Sequence, residues 1–420
     1  MLFETNKTHN NHSEPVGEKT LPDSYNDQPQ LFPAEPSDLC SFDEKGIEGV
    51  NELESITEPA IVLNSIWVTQ ENGEQLHLKH FLPQQSQVLI SDAESQPGFG
   101  RRVFMLHGEA ESGRVFYDSN SKGLAWYLAR QGYEVFVADL GGRGRSLAPE
   151  GEFSTLSVDQ IISSAIPRLL QAIANTPLNR GADACFGYGA DIWVAHGFGT
   201  VMLTAAWARL PEYLRAAQQM VFFSGRRKVI SRRKLSRLFL SALGHPLMRK
   251  WVAKCNRFPA RKLGLGSANE SVGWYLNYLN WMNSDKWLSD DGFDYARSML
   301  RQPLPPILHL AAQRDGVYAN LRDVRAFIEE LGPHDARLLI YDGIGESNRH
   351  YNHLSMLLDG SAPDDIFSEL SSWLMRGVDR ASTDWLDYNA TVGRNNRHIN
   401  LNQEATAESV NMPSSGVLFA

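Results

Sequence analysis

The stretch WVAHGFGTVML (residues 193–203) predicts a buried strand, a tight turn and the start of a helix. Small residues at Ala195, Gly197 and Gly199 allow the strand and the helix to pack closely around this turn. The pattern is typical of a nucleophile elbow, in which G-x-S-x-G presents a catalytic serine at its centre. Here the central position is Gly197, so the predicted turn lacks the hydroxyl group that such a turn usually carries.

Predicted strands and helices alternate on both sides of this turn. Helices separate most of the apolar strands, which are predicted within residues 101–108, 133–146, 191–197, 218–225, 305–315 and 336–343. Two further runs flank Asn72-Gly73, which predicts an opening hairpin with a type I′ turn. Apolar strands separated by helices indicate the α/β class, with a mostly parallel sheet flanked by helices.

The alternation stops at residues 225–303, between two predicted core strands. This segment is predicted to be a helical cap inserted over the carboxyl ends of the strands, where ligands bind in open α/β sheets. Residues 59–224 and 304–377 then form the core. The polar segments 1–58 and 378–420 contain too little apolar surface to offset chain entropy, so they are predicted to be disordered tails.

The order of these landmarks resembles the α/β-hydrolase superfamily over roughly residues 59–377. The landmarks are the hairpin, His107-Gly108 after a strand, the loop DLGGRGRS (139–146), the elbow, a late acid and a final histidine. Within the superfamily, the chain resembles cap-bearing bacterial hydrolases of the serine aminopeptidase or monoacylglycerol-lipase-like type. The resemblance implies the α/β-hydrolase fold and descent from enzymes that cleave ester or acyl bonds.

The resemblance also implies the remaining site residues. Asp315 follows a strand at the acid position, and His353 lies in the final loop at the position of the general base, with His350 as a nearby competitor. Alternatively, Asp315 is a turn carboxylate and His353 a surface-loop histidine. Two backbone N–H groups, those of Glu109 and Phe198, would form the oxyanion hole. The Glu109 carboxylate points either into the pocket, where it would repel an anionic intermediate, or toward solvent.

Gly197 leaves three hypotheses for function, because glycine fits the strained turn without a Cβ penalty but supplies no nucleophile. The protein is a pseudoenzyme that binds an acyl or other apolar ligand or a protein partner. Alternatively, Asp315 and His353 activate water, or act as acid and base on a substrate that needs no covalent step. In the third hypothesis, Ser112 or Ser224 replaces the nucleophile. The leading interpretation is a hydrolase-like protein with a degenerate elbow that acts on ester or thioester bonds through Asp315 and His353.

A basic block covers residues 226–262, which contain 13 Lys or Arg and no Asp or Glu although the chain has a net charge of −9. With Leu235, Leu238 and Leu243 at helical spacing, the block predicts a helix that contacts an anionic membrane surface or attracts acidic substrates. The alternative is a solvated basic face on an ordinary helix.

Three aromatic residues, Trp274, Tyr278 and Trp281, share one face of another predicted helix in the same segment. Such a stripe forms either the interior of the cap or the wall of an apolar pocket for an acyl chain.

The sequence predicts neither a cofactor nor a metal site. Its G-x-G stretches lack the dinucleotide fingerprint, and its 12 histidines form no H-E-x-x-H cluster. Three widely spaced cysteines indicate a reducing cytoplasm. We expect no secretory signal, no membrane span and no nucleic-acid partner, because the chain lacks the corresponding apolar runs and motifs. The expected location is the cytoplasm, with a possible peripheral membrane contact.

Overall fold

A computed structural model describes residues 60–84, 98–149, 152–177, 189–230, 234–343, 349–376 and 399–400. The strands are β1 (Ile61–Thr69), β2 (Gln75–Pro83), β3 (Arg102–Leu106), β4 (Glu134–Asp139), β5 (Ile192–His196), β6 (Gln219–Phe223), β7 (Ile307–Ala312), β8 (Ala336–Tyr341) and β9 (Ile399–Asn400). They form one sheet in the order β1-β2-β4-β3-β5-β6-β7-β8-β9. β3 to β8 are parallel to one another, and β1, β2 and β9 join through antiparallel pairings.

Helices connect the parallel strands. They are α1 (Leu124–Arg130), α2 (Val158–Gln160), α3 (Ile166–Asn175), α4 (Phe198–Arg209), α5 (Lys234–Gly244), α6 (Pro246–Cys255), α7 (Val272–Asn283), α8 (Tyr295–Met299), α9 (Leu321–Glu330), α10 (Ser355–Leu358) and α11 (Ser368–Arg376). A π-helical turn, Ile161–Ala165, joins α2 to α3 just before Pro167, which has no N–H to donate. This strand order with its flanking helices is the α/β-hydrolase fold, so the predicted fold class is confirmed.

The central strands β3 to β7 are buried on both faces of the sheet, and β5 lies at its centre with all five residues buried. On one face, Trp193 of β5 packs in a cluster with Leu169 of α3 and Met202 of α4. On the other face, Val194 belongs to a second cluster with residues of α1 and α11. Because both faces are covered, the turn after β5 is fixed from both sides, and it opens only at the carboxyl edge of the sheet.

The opening hairpin differs from the prediction at its turn. Gly73 has a φ of +83° and donates its N–H to the carbonyl of Gln70, whereas Asn72 is not among the residues with positive φ. A type I′ turn needs positive φ at both central residues, so the type I′ prediction is wrong. The reason is a longer connection held by the buried carboxylate of Glu74, which accepts hydrogen bonds from Asn72 and from Ser154.

Within the C-terminal segment 378–420, Ile399–Asn400 forms the two-residue strand β9 on β8, and the prediction of a disordered tail stays a prediction. The edge of β8 offers unpaired backbone groups that a short segment can join without any periodic pattern of its own. The rest of this segment, and the predicted tail 1–58, lie outside the described residues.

Helices α5 to α8 lie between β6 and β7, within residues 225–303, which we call the inserted segment. Its role as a cap and the domain boundaries stay predictions. In the described part of the chain, no helix combines the length and the apolar character needed to cross a membrane.

Candidate functional site

The turn after β5 has the backbone geometry expected of the elbow. Gly197 adopts φ 51° and ψ −128°, and α4 begins at the next residue. Its N–H donates to the carbonyl of Phe223 at 2.9 Å, and its carbonyl accepts the Thr200 hydroxyl at 2.8 Å. A Cβ at Gly199 would lie 2.5 Å from the carbonyl oxygen of His107, which explains why a glycine is needed there. The small residues of the sequence pattern therefore reflect close packing of the turn.

Asp315 and His353 come together beside this turn. Asp315 follows β7, His353 precedes α10, and Nδ1 of His353 lies 2.6 Å from Oδ2 of Asp315. The other carboxylate oxygen accepts the backbone N–H groups of Tyr318 and Ala319. Burial would raise the pKa of Asp315, but His353 and these hydrogen bonds hold it below its ordinary value. A charged Asp315 accepts the Nδ1 proton, which leaves Nε2 of His353 as the reactive nitrogen.

Nε2 of His353 is directed toward the elbow, since it would lie 3.4 Å from a Cβ at position 197. The Tyr318 ring stacks on the His353 ring with centroids 5.0 Å apart, which limits rotation of the imidazole. The structure thus brings together all three positions that the resemblance identifies, and their catalytic roles stay predictions.

Glu109 points into the site rather than toward solvent. Its Oε2 accepts the N–H of Phe198 at 2.7 Å. The same oxygen would lie 2.5 Å from a Cβ at Gly197. The carboxylate therefore fills the space that a side chain at position 197 would take, and it accepts the Phe198 N–H that the sequence analysis predicts for an oxyanion hole.

The backbone of the loop that carries Glu109 is fixed by the inserted segment. Ala110 has a φ of +52°, which is rare for a residue with a Cβ. Its N–H donates to Oε1 of Glu270 at 2.5 Å, and its carbonyl accepts the N–H of Ala268 at 2.9 Å. These two bonds compensate for the strained backbone and direct the neighbouring Glu109 side chain toward the elbow.

Glu270 also forms a fully buried ion pair with Arg143, from the loop after β4. The Arg143 guanidinium lies over the Trp274 ring, 5.5 Å from its centroid. Burial raises the pKa of Glu270 to about 7, against the opposing effect of Arg143. The pair links the core to the inserted segment. The sequence analysis did not identify it, because Arg143 and Glu270 belong to distant stretches of the chain.

His196 and Glu111 form a second buried pair that the sequence analysis missed. Nδ1 of His196 lies 2.8 Å from Oε2 of Glu111, and Nε2 lies 3.0 Å from the carbonyl oxygen of His353. Burial alone would lower the pKa of His196, but Glu111 raises it to about 9. The imidazolium therefore donates from both nitrogens and fixes the backbone of His353. The sequence did contain a signal for this pair, because His196 is a polar residue at the end of an otherwise apolar strand.

We expect this pair to make the stability of the protein depend on pH. Because the pKa of His196 is raised from 6.5 to about 9, its stabilising contribution is complete below pH 6.5 and is lost as the pH rises through 9. A shift of this size corresponds to about 3 kcal/mol. Urea unfolding between pH 6 and pH 10 should show this loss in the natural protein, and it should be absent in His196→Gln.

The matched control is His245→Gln, since His245 is an exposed histidine. This variant should keep the full pH dependence. An unchanged slope in His196→Gln would show that His196 is neutral in the folded protein.

One group of potential metal ligands occurs among the described residues, with ligand atoms within 4.8 Å of one another. It consists of Glu111, His196 and His353. Both nitrogens of His196 and Nδ1 of His353 already take part in hydrogen bonds. A metal ion would have to replace these bonds, so the donor set fits an ion poorly. The predicted absence of a metal and of a cofactor stays a prediction.

A cavity of about 590 Å³ opens beside Glu109 and His353. Leu265 and neighbouring residues of the inserted segment form part of its wall. The exposed side chains of Arg114 and Arg314 also line it. Glu109 and His353 therefore both border the cavity.

The other candidate residues take different positions. Ser224, which follows β6, is fully buried, and its hydroxyl has no hydrogen-bond partner among the described residues. Ser112 is buried before a short 3-10 turn and is not among the described residues that line the cavity. His350 is exposed and lies against Gly343. These positions give no support to a relocated serine or to His350 as the base.

The aromatic stripe of α7 packs against the elbow. The rings of Trp274, Tyr278 and Trp281 lie 5.6, 4.9 and 6.1 Å from the Phe198 ring, measured between centroids. All three residues are almost completely buried. Their position favours interior packing of the inserted segment over the wall of an acyl-chain pocket.

The basic block is only partly a surface feature. Arg226 and Arg227 are buried, and Arg227 forms two contacts of 2.6 Å with the carboxylate of Glu330. In α5 and α6, Leu238 and Leu247 are about two-thirds exposed, at 68% and 69%. The side chains of residues 231–235 lie outside the described residues. Contact of this block with an anionic membrane stays a prediction.

Comparisons with known proteins find similarity at the level of the fold. No family model matches the sequence, and no curated protein matches it. An esterase from Pyrococcus furiosus is 14% identical, with a TM-score of 0.45 over 75% of this chain and 91% of the esterase. An α/β hydrolase from a Penicillium species is 14% identical, with a TM-score of 0.47 over 75% of this chain and 99% of the other.

A haloalkane dehalogenase from Agrobacterium tumefaciens is 13% identical, with a TM-score of 0.45 over 75% of this chain and 97% of the dehalogenase. At these levels the likeness identifies neither a substrate nor a reaction. The strand order and the elbow geometry place the chain in this fold independently of these structures.

Proposed function

We propose that this chain is a hydrolase of a small molecule in which His353, oriented by Asp315, activates water and no serine is acylated. The observation that carries the proposal is the 2.6 Å contact between Asp315 and His353, whose Nε2 is directed toward the elbow. A buried carboxylate on Nδ1 fixes the tautomer and stabilises the imidazolium that forms when Nε2 takes a proton. The cavity of about 590 Å³ would hold the substrate.

The alternative is a non-catalytic protein that binds an acyl or other apolar ligand in the same cavity. For ester and thioester ligands, one contact favours the binding protein over a hydrolase: the Glu109 carboxylate accepts the Phe198 N–H at 2.7 Å. A carbonyl oxygen that becomes anionic could not use this donor while Glu109 remains in place. An ester hydrolase would therefore require Glu109 to move away during each turnover.

The test is a panel of acyl esters, thioesters and 1-bromoalkanes, assayed with the natural protein, His353→Ala and Asp315→Asn. We expect turnover of one class and a loss of about 10²–10⁴-fold in His353→Ala, the range that general acid–base groups contribute. Asp315→Asn should also lose most of the activity, because the wrong His353 tautomer is then favoured.

The matched control is His350→Ala, a change to an exposed histidine in the same loop, which should keep the activity. Equal turnover by the natural protein, His353→Ala and buffer would contradict the hydrolase proposal and favour the binding protein.

A further inference from the structure

We propose that the Glu109 carboxylate is the nucleophile that replaces the missing serine, and that the substrate is an alkyl compound with a leaving group on a saturated carbon. The inference rests on the proposed function, since His353 remains the base that activates water. It adds the identity of the attacked bond and a covalent intermediate on Glu109.

The Glu109 carboxylate lies at the centre of the elbow. Glu109 Oε2 accepts a hydrogen bond from the N–H of Phe198 and lies in the space that a side chain at Gly197 would fill. The other oxygen, Oε1, has no hydrogen-bond partner among the described residues, and Glu109 lines the cavity. One oxygen is therefore held by the backbone while the other can approach a substrate, and carboxylates at such positions can form covalent intermediates.

Two buried arginines lie near Glu109. Arg143 and Arg226 are both buried, and both interact electrostatically with Glu109. Neither guanidinium hydrogen-bonds the carboxylate among the described contacts, so neither blocks Oε1. Their positive charges lie near the carboxylate without preventing its approach to a carbon atom.

The occupied N–H of Phe198 decides between an acyl carbon and a saturated carbon. Attack on an acyl carbonyl places negative charge on a substrate oxygen, but the donor for that charge is already bonded to Glu109. Displacement at a saturated carbon creates no such oxyanion. In the first step negative charge develops on the leaving group instead. An oxyanion forms only in the second step, on Oε2 of the Glu109 ester, where the Phe198 N–H already lies.

The two steps balance without a further reactant. In the first, Oε1 of Glu109 forms a bond to the substrate carbon, and the bond from that carbon to the leaving group breaks, with the electron pair departing on a halide. In the second, Nε2 of His353 takes a proton from water, and the hydroxide adds to the carboxyl carbon of the ester. The intermediate collapses, the proton on His353 passes to the departing alkoxide, and the new carboxylic acid releases one proton. The alkyl halide and water become an alcohol, a halide ion and a proton.

Oxygen labelling tests this order of events in the natural protein. A single turnover with excess protein, 1-bromoalkanes of four to twelve carbons as probes and H₂¹⁸O should place ¹⁸O in the peptide that contains Glu109. The alcohol from that first turnover should contain ¹⁶O, because its oxygen comes from Oε1. An alcohol that contains ¹⁸O, with Glu109 unlabelled, would overturn the nucleophile assignment.

Trapping provides a second measurement. His353→Gln should gain the mass of one alkyl group at Glu109, through a bond that hydroxylamine cleaves, because hydrolysis of the ester lacks its base. His353→Gln/Glu109→Gln should gain no such adduct. His353→Gln/Glu71→Gln, changed at a side chain that is 83% exposed, is the matched control and should gain the same adduct as His353→Gln.

The outcomes separate the two proposals. In one outcome, turnover depends on His353 while His353→Gln gains no adduct and ¹⁸O enters the alcohol directly. That result would overturn the role of Glu109 and leave the hydrolase proposal standing. A stable adduct on Glu109 in the natural protein would support the nucleophile and contradict the role of His353. No adduct and no turnover of any bromoalkane would overturn the alkyl substrate class.

Discussion

The double variant Gly197→Ser/Glu109→Ala is expected to react covalently with a fluorophosphonate probe at position 197, whereas Gly197→Ser alone should not. In the single variant the new Cβ would lie 2.5 Å from Glu109 Oε2, and the carboxylate would still occupy the N–H of Phe198. The second substitution removes both obstacles. The hydroxyl can then use His353 as its base, and the Phe198 N–H is free for the oxyanion.

The gain should be large, since the triad as a unit supplies several powers of ten. We expect the double variant to hydrolyse short activated esters on the order of 10³-fold faster than Gly197→Ser alone. The positive φ of position 197 should cost about 1–3 kcal/mol of stability, so folding is checked by thermal unfolding.

Two matched variants control this experiment. Adding His353→Ala to the double variant should abolish labelling, and Gly197→Ser/Glu71→Ala should behave like Gly197→Ser alone. Equal labelling of Gly197→Ser and the double variant would show that Glu109 leaves the elbow freely. A folded double variant without labelling would mean that His353 or the Phe198 N–H cannot serve a serine.

The backbone of the site is predictable from the sequence because it depends on local patterns. The elbow follows from small residues between an apolar strand and an apolar helix. Asp315 and His353 follow from their order after two strands, because the carboxyl ends of parallel strands meet at one edge of the sheet.

The side-chain contacts of the site depend on residues that are distant in sequence. Glu109 could point either way until the anchors of Ala110 were known, and one of those anchors, Glu270, is 160 positions away. The His196–Glu111 pair likewise joins two segments 85 positions apart. No pattern within one segment encodes such contacts, which explains why the occupant of the elbow remained an open alternative at the level of sequence.

Glu270→Ala is expected to be the most destabilising of the single changes considered, with a loss of about 3–5 kcal/mol in the free energy of unfolding. The substitution leaves the Arg143 guanidinium buried without its counter-charge and removes the acceptor of the Ala110 N–H. Glu270→Gln should lose less, because its amide oxygen can still accept the Ala110 N–H although the charge is gone. Urea unfolding at pH 8, above the pKa of about 7 for Glu270, compares both variants with the natural protein while its Glu270 carboxylate is ionised.

The control for this prediction is Glu71→Ala, which removes an ion pair with Arg168 that is largely exposed to solvent. Exposed pairs of this kind contribute about 0–1 kcal/mol, so this variant should unfold close to the natural protein. If Glu270→Ala were no less stable than Glu71→Ala, the Arg143–Glu270 pair would not be closed off from water in the folded protein. The inserted segment would then not hold Ala110, and Glu109 would lose the backbone support that directs its carboxylate to the elbow. The free energy of unfolding of Glu270→Ala therefore also tests whether the inserted segment sets the position of Glu109, the proposed nucleophile.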